Sequence, residues 1–198
     1  MYLIRHAEAE GNLYRIAQGQ YDSLITDRGY RQIAGLAKRF EDIPIDAVYS
    51  SDLSRTCLTA QSLCIPKGLP LRRCKKLREI CVGEWEQMTW GEIARRAPGE
   101  LEHFTNRLDR WSVPGAEAIS QVQQRMLEAV REIAAANDGK TVAAFSHGMA
   151  IRVLLAAIQG CSREELARTS HGDNTAVSLI EADGGAFRVL FRDDSSHL

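Results

Sequence analysis

The chain has 198 residues, 44% of them hydrophobic and 26% charged, with 25 Lys and Arg against 26 Asp and Glu. That length suits a single domain with its own full core, and the balanced charge gives no global field for nucleic acid or a membrane surface, so any anion affinity has to be local. Five cysteines, an odd set without a Cys-x-x-Cys pair, argue against a disulfide framework and a thiolate zinc site and read as reduced, packed thiols.

Tyr2, Leu3 and Ile4 predict a short buried strand running directly into Arg5, His6 and Glu8. No apolar run has the length of a membrane span, and this strand stands where a signal peptide would be, so a cytoplasmic location is expected. A polar loop without a clear period extends from Gly11 to about Leu24. Thr26 or Asp27 then reads as an N-cap, and Ile33, Leu36, Ala37 and Phe40 give a helix ending near Glu41, before Pro44. Ala47 to Tyr49 form a second strand ending in Ser50, Ser51 and Asp52, where Ser51 or Asp52 can cap a helix carrying Arg55, Leu58 and Leu63. A weaker, basic third strand is predicted over 69–77, delivering Glu79.

From Gly83 to Gly115 the chain is rich in Trp, Arg and Glu, with breaks at Pro98 and Pro114, and reads as short helices forming a cap. Ile119, Val122, Met126, Val130 and Ile133 step by three and four and predict the clearest helix, stopped by Asn137-Asp138-Gly139. Thr141 to Phe145 predict a buried strand, after which His147-Gly148 opens an apolar helix over 151–158. Two last segments, 176–181 and 187–191, flank Asp183-Gly184-Gly185 and predict a terminal hairpin. Strands alternating with helices imply an α/β fold, a three-layer α/β/α sandwich with a mostly parallel mixed sheet, to which the hairpin adds an antiparallel strand. The whole of 1–198 is expected to be one domain, with a cap insertion at about 84–117.

The polar residues beyond the strand ends converge chemically. Arg5, His6, Glu8 and Asn12 follow the first strand, Arg55 the second, Glu79 the third and His147 the late one. In a parallel α/β sheet the crevice beyond the carboxyl ends of strands binds ligands. Two arginines there match phosphate oxygens with forked N–H groups, and a neutral imidazole can attack phosphorus to form a phosphohistidine. The helix opening at Gly148 offers backbone N–H groups to an anion, and a protonated His147 would add charge. The leaving alkoxide needs a proton, for which Glu79 and Glu8 both qualify. This scheme requires no metal and no cofactor.

With these residues assembled, the chain resembles the histidine phosphatase superfamily, which includes cofactor-dependent phosphoglycerate mutases and many small phosphatases. The resemblance rests on Leu3-Ile4-Arg5-His6-Ala7-Glu8 with Asn12, on Leu24 to Gly29, on Tyr49 to Thr56, on Leu77-Arg78-Glu79 with Gly83-Glu84-Trp85-Glu86, and on Ser146-His147-Gly148. It implies that His6 is the phosphorylated nucleophile and Glu79 the proton donor. Arg5, Arg55 and His147 would form the phosphate pocket, completed by Asn12 and the backbone near Gly148, with Asn174 shaping the site. Glu8 matches an acidic position less directly involved in catalysis.

Two departures stand out: Ala9 replaces a frequent Thr, and Gln87 replaces the Gly of Trp-Glu-Gly. Mutases of the family are longer and carry an adjacent arginine pair in the cap. Here Arg95-Arg96 comes too early, and Arg107 and Arg110 are separated. The expected activity is therefore metal-independent hydrolysis of a small phosphomonoester, with phosphoglycerate mutase as the alternative. Neither nucleic acid nor membrane is expected as a partner. Trp85, Trp90 and Trp111 read as packing residues, the four cap arginines as solvated or salt-bridged, Cys81 as a packed loop residue, His171 as a turn residue at the pocket rim, and His103 and His197 as surface.

Overall fold

In the computed structural model, which describes residues 1–198, the elements follow the predicted alternation. Strand β1 is Tyr2–Arg5, β2 Ala47–Ser50, β3 Leu71–Arg73, β4 Val142–Ser146, β5 Val177–Asp183 and β6 Ala186–Asp194. They form one six-stranded sheet in the order β3-β2-β4-β1-β5-β6. The first four strands are mutually parallel, and β5 and β6 are antiparallel to their neighbours.

The helices are α1 Glu10–Leu13, α2 Asp27–Arg39, α3 Ser54–Lys67, α4 Trp90–Arg96, α5 Pro98–Asn106, α6 Ile119–Ala135, α7 Gly148–Ile158 and α8 Arg163–Arg168. Alternate residues of the buried strands feed two cores on opposite faces of the sheet, as the period of two requires. Ile4, Val48, Ala143 and Phe145 pack with Leu36 of α2, Phe40 just after it and Leu63 of α3. Leu3, Ala47, Val142 and Ala144 pack with α6 and α7. The second core continues into the segment expected to form a cap, since Trp85, Ile93, Leu108 and Trp111 belong to the same cluster. The result is the expected three-layer α/β/α sandwich.

Three local differences have physical reasons. The third strand covers only Leu71–Arg73, and Lys75–Leu77 form a 3₁₀ turn instead, because an edge strand with exposed Arg72 and Arg73 has no apolar face to extend. The segment between Gly11 and Leu24 starts with the short helix α1, whose N-cap Ala9 makes no side-chain cap. Helix α3 is capped neither by Ser51 nor by Asp52. Its N-cap position is Leu53, and Asp22 from the polar loop accepts the Ser54 N–H at 2.6 Å and the Arg55 N–H at 3.4 Å. Elsewhere the cap is as expected: Thr26 Oγ1 takes the Gly29 N–H at 3.0 Å and starts α2.

Candidate active site

Strand pairing alone brings the two histidines together. Arg5 sits opposite Ser146 in the parallel β1–β4 register, and the His6 N–H donates to the Ser146 carbonyl at 3.0 Å. The next residues of both strands, His6 and His147, therefore leave the same sheet edge, with ring centroids 5.2 Å apart. On the other side of β4, Ser50 pairs with Phe145, which puts Ser51 at that edge as well.

His6 is buried and its Nδ1 lies 2.8 Å from the Ala7 carbonyl. A carbonyl only accepts, so Nδ1 carries the hydrogen and the neutral ring keeps its lone pair on Nε2. Burial first, and then the charges of Arg55 and Arg5, hold the pKa of His6 well below the ordinary histidine value. The ring is thus an unprotonated base at neutral pH.

His147 is fully buried, with Nε2 2.9 Å from Ser51 Oγ and Nδ1 without a partner. Ser51 Oγ takes the Leu53 N–H at 3.4 Å, so its own proton is available to Nε2, an arrangement that leaves the ring hydrogen on Nδ1. Burial and then Arg55 push the pKa of His147 well below the ordinary value too. The expected protonated His147 is therefore corrected: the ring is neutral, chiefly because it is fully buried and further because guanidinium groups already charge its surroundings.

Arg55 is almost fully buried in α3. Its Nη1 donates to the Tyr21 carbonyl at 2.7 Å and its Nη2 to the Gly19 carbonyl at 2.8 Å. Arg5 Nη1 donates to the Gly172 carbonyl. The Nε atoms of both arginines are buried and unpartnered. Arg5 and Arg55 line one cavity, and with Nδ1 of His147, whose ring neighbours His6, they give three unsatisfied donors, each costing about 1–3 kcal/mol while it lacks an acceptor. Gly148 also lines the cavity, and a Cβ there would lie 3.3 Å from the Arg5 guanidinium, so the missing side chain lets that group approach the helix.

The two glutamates separate cleanly. Glu8 is turned away from the cavity: it accepts from Thr26 Oγ1 at 2.7 Å and pairs with Arg28 at 3.1 Å. Glu79 lines the cavity. Its Oε1 accepts from the N–H groups of Ile80 at 3.0 Å and Ala150 at 2.9 Å, and its Oε2 from that of Met149 at 3.1 Å. The N-terminus of α7, expected to receive the anion with several N–H groups, is therefore largely occupied by this carboxylate, which takes the Met149 and Ala150 N–H groups but not that of Gly148.

Asn12 lines the cavity, and its Oδ1 accepts the Ala9 N–H at 3.1 Å, which leaves the amide NH₂ as its free donor. Asn174 Nδ2 donates to the His6 carbonyl at 3.0 Å and lies 3.4 Å from Asn12 Oδ1, so it buttresses the loop that carries the nucleophile candidate.

The cavity holds about 400 Å³ and rises from His6 and the two arginines to a wall of Ile16, Ile80, Val82, Trp90 and Phe104. Trp90 stacks on Phe104 at 5.5 Å, and Trp85 and Trp111 close the cluster from behind. Trp90 thus both packs and faces the cavity. None of Arg95, Arg96, Arg107 and Arg110 lines it. Arg96 lies 3.8 Å from Glu92, and Arg107 pairs with Asp109 at 3.2 Å. Burial raises the pKa of the Cys81 thiol, which fits a packed loop residue.

His171 lines the rim and its Nε2 lies 2.7 Å from Arg152 Nη1. Burial, followed by the charge of Arg152, lowers its pKa to about 4. His197 departs from the surface assignment: Arg39 bonds its Nδ1 at 3.1 Å and Thr175 Oγ1 lies 3.1 Å from Nε2.

Two supports escaped the sequence reading. Ser51 bonds His147, and its signal was the Ser-Ser-Asp cluster at a strand end. Arg125 on α6 donates to the carbonyls of Lys76, Arg78 and Glu79 at 2.9, 2.6 and 2.9 Å. It also forks onto Glu117, whose Oε2 takes the Cys81 N–H at 2.8 Å. In the sequence it is one polar residue of an amphipathic helix.

Comparison with known proteins follows the same lines. The model of the histidine phosphatase superfamily, branch 1, matches residues 1–195. A probable phosphoglycerate mutase of Erwinia tasmaniensis is 31% identical over 160 residues, 81% of this chain and 74% of that protein. Phosphoserine phosphatase 1 of Hydrogenobacter thermophilus is 28% identical over 199 residues, covering 100% and 93%. The solved structure of Bacillus stearothermophilus YhfR superposes with a TM-score of 0.95 at 35% identity, over 99% of this chain and 97% of that one.

Proposed function

The chain belongs to the histidine phosphatase superfamily, branch 1, and from that premise we propose that it hydrolyses small-molecule phosphomonoesters through a phosphohistidine on His6, without a metal ion. The observation that carries this reading is the cluster of unpartnered buried donors, Arg5 Nε, Arg55 Nε and His147 Nδ1, beside an imidazole kept neutral with its lone pair on Nε2. Donors of this number and charge match an anion with several oxygens, and a nucleophile stands next to them.

The phosphoryl oxygens take N–H groups from Arg5, Arg55, His147 Nδ1, the Asn12 amide and Gly148, so charge is met by donors already in place. His6 Nε2 forms the new bond to phosphorus while the bond from phosphorus to the ester oxygen breaks. That oxygen takes a proton from Glu79. Its Oε2, with a single N–H partner, has room for the proton. In the second half, the Glu79 carboxylate takes a proton from water, the water oxygen bonds phosphorus, and the His6–phosphorus bond breaks to release phosphate.

The relative named as a probable phosphoglycerate mutase favours phosphoryl return to the substrate as the second reading. The phosphatase reading stands ahead of it because the cap arginines lie outside the cavity lining, whereas a relative of matching length is named a phosphatase. The deciding experiment is a panel of phosphomonoesters, including α-ribazole phosphate, sugar phosphates, phosphoserine and both phosphoglycerates, run with chelator for the wild type and His6→Ala. Phosphate release by the wild type alone supports the proposal. Interconversion of phosphoglycerates after addition of a bisphosphate, without net release, replaces it with the mutase.

A further inference from the structure

The outer half of the cavity carries a second, distinct chemistry. Beyond the phosphate-binding end its wall is apolar, formed chiefly by Ile16, Ile80, Val82, Trp90 and Phe104. One formal charge is set into that wall, the guanidinium of Arg15. This side chain is exposed and has neither an ion pair nor a hydrogen bond to any other part of the chain. Arg15 and Trp90 also line an adjoining groove, so the two residues stand at the border between it and the cavity.

The backbone at Arg15 is held in place. Its φ is 56°, in the left-handed region where a residue ending a helix is most often Gly. The Trp90 N–H donates to the Arg15 carbonyl at 2.9 Å and the Arg15 N–H to the Asn12 carbonyl at 3.3 Å. The same short segment therefore sets both Asn12, at the phosphate end, and Arg15, at that border. A long charged side chain occupies a position whose backbone favours glycine, and nothing in the protein neutralises it.

We propose that Arg15, with the Trp90–Phe104 wall, is a specificity subsite for phosphomonoesters whose alcohol part is planar or apolar and bears a second anionic group at its far end. The proposal rests on the phosphatase reading and deepens it. The ring or chain of the leaving alcohol lies against Trp90, and its carboxylate or equivalent anion meets the Arg15 fork, which matches a planar carboxylate bidentately.

The test compares 3-carboxyphenyl phosphate with 3-carbamoylphenyl phosphate, of the same size and without the charge. In the wild type the acid is favoured in kcat/KM by about two- to fivefold, as expected for one solvent-reached ion pair. In Arg15→Gln the ratio falls to about one, and raising the salt concentration lowers it in the wild type but not in the variant. Dissociation constants of both esters for His6→Ala and for His6→Ala with Arg15→Gln, measured by calorimetry, give the same ratio without turnover. A wild-type ratio near one, or a ratio unchanged in Arg15→Gln, overturns the subsite. In the second case the preference for the acid arises from another part of the pocket. Absence of hydrolysis of either ester would instead count against the phosphatase reading, while the binding arm still decides the subsite.

Discussion

The Ser51 hydroxyl lies 2.9 Å from His147 Nε2, and this bond decides which nitrogen of a fully buried imidazole is offered to a ligand. With Ser51 as donor, Nδ1–H is the donor left for the proposed phosphate site. In Ser51→Ala the ring loses that choice, and a buried nitrogen is left unpaired. The expected result is a stability loss of about 1–3 kcal/mol and a fall in kcat/KM of about tenfold or more, the order found when a preorganised donor is disturbed. Ser51→Thr, which keeps the hydroxyl, should recover most of the activity. Equal losses in the Ala and Thr variants would show that packing, not the hydroxyl, is what matters.

Arg125 offers a way to move Glu79 without touching it. Its guanidinium holds the carbonyls of Lys76, Arg78 and Glu79 and is itself oriented by Glu117. Removing it loosens the loop that presents the proposed acid. In Arg125→Met, turnover of alkyl phosphates, whose leaving oxygen needs the proton, should fall about tenfold more than that of nitrophenyl phosphate, whose leaving group does not. Glu79→Gln should show the same bias in stronger form, and Arg125→Lys should restore part of it. A loss equal for both leaving groups would mean that Arg125 supports stability alone.

The histidines make stability depend on pH in a definable window. His6 and His147 have folded pKa values well below the ordinary value, and His171 is lowered to about 4. Below about pH 6.5 the unfolded chain takes up protons that the folded protein refuses, so stability is full above that pH and declines as the pH falls. Each buried ring contributes a slope of up to roughly 1.4 kcal/mol per pH unit until its folded pKa is reached. Urea unfolding midpoints should therefore drop between pH 6.5 and 5, with a shallower slope in His147→Gln. A flat profile would mean that the folded rings protonate like free histidine. Activity should respond differently: because His6 is already neutral, the acid limb of kcat/KM should follow ionisation of the substrate phosphate, near pH 6, and not a protein group at 6.5.

Much of this site was legible in the sequence because it follows from strand ends. Arg5, His6 and Ser146-His147 are adjacent once β1 and β4 pair, and an apolar run of strand length broken by a polar residue marks such an edge. Residues acting through tertiary contacts left no such trace. Asp22 caps α3 from a loop without periodicity, Arg125 reaches the acid-bearing loop from another element, and the Ser51–His147 bond joins residues 96 positions apart. Between the two glutamates, residue type gave no choice. The contacts of Glu8 with Thr26 and Arg28 did. Gln87 illustrates a departure absorbed locally: it keeps a left-handed φ of 70° where the family has Gly, and its N–H still reaches the Ala17 carbonyl at 2.9 Å.

Gly29 tests whether the second matching block, Thr26 to Gly29, serves the site through packing. A Cβ at Gly29 would fall onto the Glu8 carbonyl oxygen, and a flexible side-chain tip cannot absorb that contact because the neighbour is backbone. The same carbonyl accepts the Thr26 N–H at 3.1 Å, and the Glu8 N–H is fixed by Gln32 at 2.8 Å, so the segment two residues after His6 cannot simply yield. Gly29→Ala must then displace α2 or the loop behind His6. Overpacking of this kind costs about 1–3 kcal/mol, equivalent to a fall in Tm of roughly 2–4 °C per kcal/mol for a domain of this size. The control is Gly99→Ala on α5, where a Cβ meets nothing within 4 Å and the higher helix propensity should stabilise by up to about 1 kcal/mol. Opposite signs for these two glycine-to-alanine changes, with kcat/KM reduced only at Gly29, would tie this block to the seating of the His6 loop. A neutral Gly29→Ala would remove the packing constraint from the account of the site.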